Sequence, residues 1–452
     1  MGNFFSRFKI RLKPIQIIAI GFALIILCGA IILTLPVSSA KGEWSSFSDC
    51  FFTTTSATCV TGLVVRDTGT YWSVFGQLII LLLIQVGGIG FMTVATLFAF
   101  VLGKKITLKQ RGLIQESINT DYPGGLVRLM KKIIVGTFVI EGIGAVILGI
   151  RFSFDFGFFK GMYYGIFHSI SAFCNAGFDL LGADYGEYCS LTNYADDITV
   201  NLTIILLVVI GGIGFLVWSD IWTHKFHLRA YSIHSKIVLS VTLALLAFGT
   251  LFFFMMESAN NQEFANETFK NKLLLSFFQS GTTRTAGFNT CDLEGLSTGS
   301  KLLTIIYMFI GGSPGSTAGG IKTTTFVVLL LSLIATVRGT PDLNIFKRRL
   351  EADASRKANA VVLTNMSLAI FAAIVISVNH NFLLEDVFIE TFSAIGTVGL
   401  STGITRSLNE VERIVICILM YCGRVGSLSF AISFSKSKVH NIRRPETKIS
   451  IG

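Results

Sequence analysis

Four short turns, each ending in glycine followed by leucine or phenylalanine, are the segments of this chain best suited to binding a cation. They cover residues 56–63, 171–178, 281–288 and 393–400, and their glycines are Gly62, Gly177, Gly287 and Gly399. Glycine adopts backbone conformations that are closed to other residues, so each turn can direct carbonyl oxygens inward. Four such turns on one axis would form a ring of carbonyls that replaces the hydration shell of an ion such as potassium.

The glycines are separated by near-equal intervals of 115, 110 and 112 residues, which indicates internal duplication. A second landmark keeps the same register. An apolar segment after each turn carries Gly87, Gly211, Gly311 or Gly423, at 25, 34, 24 and 24 residues from the respective turn glycine. Two landmarks that recur together four times favour duplication over chance similarity.

Each of the four rounds consists of a long apolar segment, a short one, the glycine turn and a second long segment. A stretch of about 20 apolar residues spans a bilayer, whereas the short segments suit re-entrant helices. Non-helical backbone at membrane depth is tolerated only where it lines a watery cavity or is buried in protein. We therefore predict an all-α polytopic membrane protein of four tandem helix–pore-loop–helix repeats, with eight spanning helices around one central pore. The predicted divisions are an N-terminus (1–14), repeat 1 (15–103), repeat 2 (126–224), repeat 3 (233–337, with an intramembrane loop at 311–322), repeat 4 (358–434) and a tail (435–452).

Composition agrees with a membrane location, because 52% of the 452 residues are hydrophobic and only 14% are charged, against about a quarter charged in soluble domains. The net charge of +10 comes from basic residues between apolar segments, which predicts cytoplasmic termini in a cell membrane rather than nucleic-acid binding. The eight cysteines form no CxxC pair and fit small apolar residues, although Cys189 and Cys291 could pair in outer loops. No HExxH motif occurs and no His/Asp cluster stands at metal spacing, so we predict no enzyme.

Residues 311–322 contain five glycines and a proline, a density that no helix tolerates. The third inner segment must therefore break within the membrane, either as a close-packed kink or as a mobile loop that gates flow. Arg424 occupies the position that is glycine in the other repeats, and an arginine inside the bilayer needs a cavity or a partner. Its two interpretations are a contact with the loop that holds the gate closed and a structural tie between helices.

These segments resemble the Trk/Ktr/HKT superfamily of potassium transporters over essentially the whole chain, and the absence of an extra helix pair is more similar to the Ktr branch. The residues that match its filter are Val60, Thr61, Gly62, Asn175, Ala176, Gly177, Thr285, Ala286, Gly287, Thr397, Val398 and Gly399. The gate predicted from the matching third-repeat loop, together with Arg424, comprises Gly312, Ser313, Pro314, Gly315, Ser316, Thr317, Ala318, Gly319, Gly320, Lys322 and Arg424.

The resemblance implies potassium selectivity from four filter glycines, potassium ions at the filter as the sole metal, and no covalent cofactor. It also implies a homodimer, with each subunit holding its own pore, on a cytosolic ring of nucleotide-binding (RCK) subunits similar to KtrA. Whether potassium moves alone or is coupled to sodium stays open. The alternatives are a sodium-permeable relative, which the glycines disfavour, and a carrier of organic solutes, whose repeats are usually two and often inverted.

Four charged residues complete the candidates. Arg284 is expected to brace its re-entrant segment, and Glu141 either pairs with a neighbouring helix or marks a subunit contact. Asp49 and Asp386, each 13 residues before a filter glycine, are expected to cap short helices, and attraction of cations at the mouth of the pore is the second interpretation.

Overall fold

The protein is described by a computed structural model that covers residues 14–90, 93, 94, 96, 112, 113, 115, 126–225, 227–351 and 353–426. The predicted N-terminus before residue 14, the predicted ends of the first and last inner helices and the tail at 435–452 lie outside the described residues. Within them the chain is mostly helical, which confirms the predicted all-α class.

The helices recur four times in the order outer helix, pore helix, inner helix. The outer helices are Pro14–Thr34, Leu126–Phe156, Ile233–Asn260 and Ala354–Asn379. The pore helices are Phe47–Cys59, Phe158–Phe173, Phe269–Thr282 and Leu384–Gly396. The inner helices are Val74–Ile89, the pair Ile198–Gly212 and Phe215–His224, the pair Thr298–Phe309 and Thr323–Arg338, and Glu410–Val425.

Smaller elements lie in the connections. Short α-helices occupy Thr68–Tyr71, Gly182–Tyr185 and Gln262–Asn266, and 3-10 turns occupy Pro36–Ser38, Thr192–Tyr194, Leu228–Ala230 and Ile404–Ser407. An antiparallel hairpin, Asn344–Ile345 with Arg348–Arg349, stands between the third and fourth repeats and pairs Asn344 with Arg349.

The four outer helices are long and apolar enough to cross a membrane by themselves. The inner helices differ, because the second bends by 95° between its two parts and the third is interrupted between Phe309 and Thr323. The interruption matches the segment expected to break, whereas the bend in the second repeat was not anticipated. It occurs at Gly214, whose φ is +94°. Gly90 and Gly426, at the same distance from their landmark glycines, have φ of +86° and +96° and end their helices.

The start of each inner helix also repeats in register. The N-cap residues are Ser73, Asp197, Ser297 and Asn409, and each side chain accepts a hydrogen bond from the backbone N–H three residues later. Such caps satisfy one of the unpaired N–H groups that open a helix. Each cap lies 14 residues before the landmark glycine, so the longer interval of the second repeat is absorbed by the Gly182–Tyr185 and Thr192–Tyr194 insertion before the cap.

A polar side chain four residues into each inner helix links neighbouring repeats. Gln77 accepts a hydrogen bond from Tyr163 of the second pore helix at 2.9 Å. Lys301 pairs with Glu385 of the fourth pore helix at 2.7 Å, and Arg413 pairs with Asp49 of the first pore helix at 2.9 Å. The fourth such residue, Asn201, instead donates to the carbonyl of Tyr194 in its own repeat. Repeats 1 to 2, 3 to 4 and 4 to 1 are therefore joined in one rotational sense.

Candidate functional site

All four pore helices end in the same unusual backbone conformation. The residue two positions before each turn glycine has a positive φ although none of the four is glycine: Val60 (58°), Asn175 (59°), Thr285 (70°) and Thr397 (51°). Left-handed conformations are costly for such residues and persist where the surrounding structure holds them. The turn glycines follow with φ of 97°, 67°, 79° and 96°, values that glycine adopts readily.

The four turn glycines meet in a closed cycle, here called the glycine ring (Gly62, Gly177, Gly287 and Gly399). A methyl group built on Gly62 would lie 2.6 Å from the carbonyl oxygen of Ala176, and one on Gly177 would lie 2.8 Å from that of Ala286. On Gly287 it would lie 2.4 Å from the carbonyl oxygen of Val398, and on Gly399 2.2 Å from that of Thr61. Each repeat thus approaches the carbonyl of the next, so four positions distant in sequence surround one axis.

The residue after each glycine anchors the turn. Leu63, Phe178, Phe288 and Leu400 are all buried, with no more than 1% of their surface exposed. This burial explains why each turn ends in glycine followed by a large apolar residue. The anchors hold the ring from outside by apolar packing.

Hydroxyl groups at the ends of the pore helices fasten the turns, a feature that the sequence analysis missed. Ser56 Oγ accepts from the N–H of Gly62 at 3.0 Å, and Ser393 Oγ accepts from that of Gly399 at 3.0 Å. Ser171 Oγ donates to the carbonyl of Phe178 at 2.7 Å, and Thr282 Oγ1 donates to that of Phe288 at 2.6 Å. A serine six residues before the glycine in three repeats was the available signal; the third repeat has Gly281 there, and Thr282 replaces the serine.

One side of the ring opens into a cavity of about 340 Å³, here called the vestibule, which all four glycines line. Its wall carries Asp67, Asp179, Asp292 and Glu294 together with one cation, Arg406, whose guanidinium stacks 4.4 Å from the Tyr188 ring. Burial, and next the charge of Asp67, raises the pKa of Asp179 to about 7. The vestibule therefore gains negative charge as pH rises through neutrality and attracts cations.

The landmark glycines support the pore helices in three repeats. A methyl group on Gly87, Gly211 or Gly423 would lie 2.0–2.2 Å from the carbonyl oxygen of Thr58, Phe173 or Ile395, each four residues before its turn glycine. Gly311 instead lies against the carbonyl of Gly319, where a methyl group would come within 2.3 Å. In the third repeat the intramembrane loop (residues 311–322) thus takes the place of the pore-helix end.

The intramembrane loop is held by backbone hydrogen bonds to the second inner helix. Ser313 N–H donates to Gly212 O at 3.0 Å, Thr317 N–H donates to Gly211 O at 3.3 Å, and Phe215 N–H donates to Gly315 O at 2.8 Å. Thr317 Oγ1 also lies 3.0 Å from the Asn175 amide group in the second turn. The predicted gate residues therefore contact the predicted filter directly.

Two cations, Arg424 and Lys322, lie at this loop. Arg424 donates to the carbonyl oxygen of Thr317 and to those of Gly87 and Gly88 in the first inner helix, the latter two at 2.5 and 2.9 Å. Lys322 Nζ donates to the carbonyl oxygen of Ala318 at 2.8 Å. Arg424 thus joins the first inner helix, the loop and the fourth inner helix, a geometry that contains both the loop contact and the helix tie.

The remaining charged candidates are placed as follows. Glu141 pairs with a neighbouring helix, because Gln85 donates to both of its oxygens at 3.0 Å. Arg284 is buried. The capping interpretation of Asp49 and Asp386 is wrong, since the N-caps are Ser46 and Leu383 and neither makes a side-chain cap bond.

The two aspartates form ion pairs instead. Asp49 pairs with Arg66 and Arg413, and Asp386 lies 3.8 Å from Lys301. In each case a basic side chain of the preceding repeat, Arg413 or Lys301, lies within ion-pair distance of the carboxylate. Cys189 and Cys291, considered as a pair, are both free thiols.

Comparison with known proteins gives concordant findings. The family model TrkH, described as cation transport protein, matches residues 17–441. The chain is 42% identical over 443 residues to "Ktr system potassium uptake protein B" of Bacillus subtilis (strain 168), covering 98% of each chain. It is 39% identical over 456 residues to "Potassium/sodium uptake protein NtpJ" of Enterococcus hirae, covering 99% of each. The crystal structure of the potassium transporter TrkH from Vibrio parahaemolyticus superposes with a TM-score of 0.69 at 18% identity, covering 94% of this chain and 86% of that one.

Proposed function

Because this chain belongs to the TrkH family of cation transport proteins, we propose that it takes up potassium across the cell membrane through the glycine ring. The family is one of membrane transporters, so the chain is a multi-pass membrane protein and not an enzyme. The observation that carries the proposal is the closed cycle of Gly62, Gly177, Gly287 and Gly399, each packed against the carbonyl of the next repeat. The filter comprises residues 60–62, 175–177, 285–287 and 397–399, whose carbonyl oxygens coordinate dehydrated potassium.

The charge distribution supports cation entry from the vestibule. Four carboxylates and a single arginine line that cavity, and a low-dielectric cleft lined by one sign of charge concentrates counter-ions. With the vestibule outside, the other side of the ring, which holds the intramembrane loop and Arg424, faces the cytoplasm, and so do both termini. The loop with Arg424 forms the gate, because it lies directly against Asn175 and Thr397 of the filter.

The named relatives support a wider assembly. "Ktr system" in the relatives' names describes a subunit that works with other components, and we propose a homodimer on a cytosolic nucleotide-binding ring. Such a ring would act on the cytoplasmic ends of the broken inner helices. The name of the Enterococcus relative includes sodium, so sodium uptake through the same ring is the second candidate.

Cation flux into liposomes that contain the purified protein tests the proposal. The uptake of rubidium, potassium, sodium and N-methylglucamine is compared under one electrical driving force. Rubidium and potassium uptake far above that of sodium is expected. Equal potassium and sodium uptake would favour the second candidate, and uptake no faster than in empty liposomes, with the intramembrane loop both intact and shortened by Gly315–Gly319 (residues 315–319), would refute the pore.

A further inference from the structure

A second cavity, of about 770 Å³, lies behind the filter of the third repeat, between the outer helix Ile233–Asn260 and the pore helix Phe269–Thr282. We call it the crevice. Asp292 lines both the crevice and the vestibule, so the two cavities adjoin on the same side of the glycine ring. The carboxylate of Asp292 therefore contributes negative charge to both cavities.

The floor of the crevice is polar and buried. Glu257, Ser276, Gln279 and Thr290 line it, each no more than 3% exposed. Glu257 is already engaged, since one carboxylate oxygen accepts from Ser297 N–H and Oγ at 3.1 and 2.7 Å and the other from Asn261 at 3.0 Å. These bonds hold the carboxylate in place and leave the oxygen that accepts from Asn261 with capacity for a further contact.

Two hydroxyl groups on this floor have no hydrogen-bond partner. Ser276 Oγ belongs to the pore helix, and Thr290 Oγ1 lies three residues beyond Gly287. A buried hydroxyl without a partner is unfavourable, because the loss of its contacts with water is not compensated. Both residues line the crevice, so a bound ligand with affinity for oxygen lone pairs would remove the deficit of both at once.

The charge of the lining selects a cation. Its ionisable side chains include Glu257, Glu267 and Asp292, and neither lysine nor arginine is among the lining residues of the described chain. Within the described residues no group of three His, Cys, Asp or Glu side chains is placed to hold a metal ion, which disfavours transition metals and the carboxylate-rich sites of calcium. Hydroxyl and amide oxygens beside one fixed carboxylate suit a weakly held monovalent cation.

We propose that the crevice is an accessory site for an alkali-metal cation, sodium or potassium, coordinated by the oxygens of Ser276, Thr290 and Gln279 and balanced by Glu257. The site is distinct from the filter and does not require it. Its occupancy links the pore helix to the segment that follows Gly287, because Ser276 and Gln279 belong to the former and Thr290 to the latter. A cation there would stiffen the segment that follows Gly287 in the third turn. Transport would then depend on external cations that are not themselves carried.

Anomalous diffraction with thallium(I), which replaces potassium and sodium at oxygen sites, tests the proposal on the full-length protein. We expect a peak among Ser276, Thr290 and Gln279 in addition to any peaks at the glycine ring. The double variant Ser276→Ala/Thr290→Val should lose the crevice peak and keep those of the filter. Thr242→Val is the matched control. Thr242 also has a buried hydroxyl without a hydrogen-bond partner, and it lies on the outer helix Ile233–Asn260 that carries Glu257, but it does not line the crevice.

Competition identifies the ion. Loss of the crevice peak in excess sodium but not in excess potassium assigns sodium, and the reverse assigns potassium. Filter peaks with only water in the crevice would overturn the proposal, as would a crevice peak of equal height in the double variant. Absence of filter peaks would instead count against the proposed pore, so the two failures are distinguishable.

Discussion

The substitution Gly399→Ala tests most directly whether the glycine ring determines ion selectivity. A methyl group at this position would lie 2.2 Å from the carbonyl oxygen of Thr61 and 2.9 Å from the Cα of Gly62, where ordinary contacts begin at 3.4 Å. Both neighbours are backbone atoms and cannot rotate away. Because protein interiors are close-packed, the first and fourth turns must separate by about 1 Å to accept the methyl group.

That displacement acts on the carbonyl oxygens that are proposed to replace the hydration shell of the ion. A carbonyl moved by about 1 Å no longer favours potassium over the smaller sodium ion, and a loss of only about 1.4 kcal/mol of discrimination lowers the selectivity tenfold. We expect the variant to fold, because the backbone cost of alanine at positive φ is about 1–2 kcal/mol. Its rubidium-over-sodium uptake ratio should fall at least about tenfold.

The control for this experiment is Gly42→Ala. Gly42 also has a positive φ, of 72°, but nothing lies within 4 Å of the added methyl group. It therefore carries the same conformational cost without the steric overlap. Uptake of rubidium and sodium into liposomes is measured for both variants, and thermal unfolding confirms that both are folded. If Gly399→Ala retained the selectivity of Gly42→Ala, the glycine ring would not be the selectivity filter.

Three further predictions concern the gate, the fourth pore helix and the vestibule. Arg424→Ala removes three donated hydrogen bonds to the loop and the first inner helix, so rubidium flux without any regulatory subunit should rise several-fold. The control is Arg338→Ala, at an exposed arginine, which should not alter the flux. Unchanged flux in Arg424→Ala would mean that Arg424 only ties the helices together. Glu390 is buried and accepts hydrogen bonds from Ser401 and Thr405 at 2.7 and 2.6 Å, so Glu390→Leu should lower the free energy of unfolding by about 2 kcal/mol or more. Adding Ser401→Ala and Thr405→Val to this variant should restore part of the loss. Additive losses in thermal unfolding would contradict the pairing. Because the pKa of Asp179 is raised to about 7, its carboxylate becomes charged as pH rises through that value. Rubidium influx at subsaturating concentration should therefore increase from pH 6 to 8, by about two to three times at most. An increase that persists in Asp179→Asn would show that this carboxylate is not its cause.

The sequence was most informative where a backbone conformation demands one residue type. Gly62, Gly177, Gly287 and Gly399 have positive φ and no space for a side chain, so their identity and spacing could be found without coordinates. The interruption in the third inner helix was predictable for a related reason, since glycine and proline at that density cannot form a helix. The bend at Gly214 had a weaker signal, a single glycine three residues after the landmark glycine, and Gly90 and Gly426 share that position.

Side-chain pairing was less predictable, because it depends on which elements become neighbours. Ser56 and Ser393 fasten the turns at Gly62 and Gly399, yet a serine in an apolar segment is indistinguishable in sequence from one that only packs. Asp49 and Asp386 were assigned to caps from their place near helix starts, but their partners are Arg413 and Lys301 of the preceding repeats. These contacts exist only after the four repeats have closed into a ring, and no local pattern encodes that closure.

The departures from fourfold symmetry at the landmark glycines are all on one side of the glycine ring. Above it, the four glycines are near-equivalent, as selection of a spherical ion requires. Below it, Gly87, Gly211 and Gly423 each support a pore-helix carbonyl, whereas Gly311 supports Gly319 of the intramembrane loop. The position next to these glycines is arginine in the fourth repeat alone, and Arg424 reaches the same loop. Selectivity needs equivalent ligands and on–off control needs one element free to move. In the proposed function, the duplication of one repeat would provide the former, and the divergence of its third and fourth copies would provide the latter.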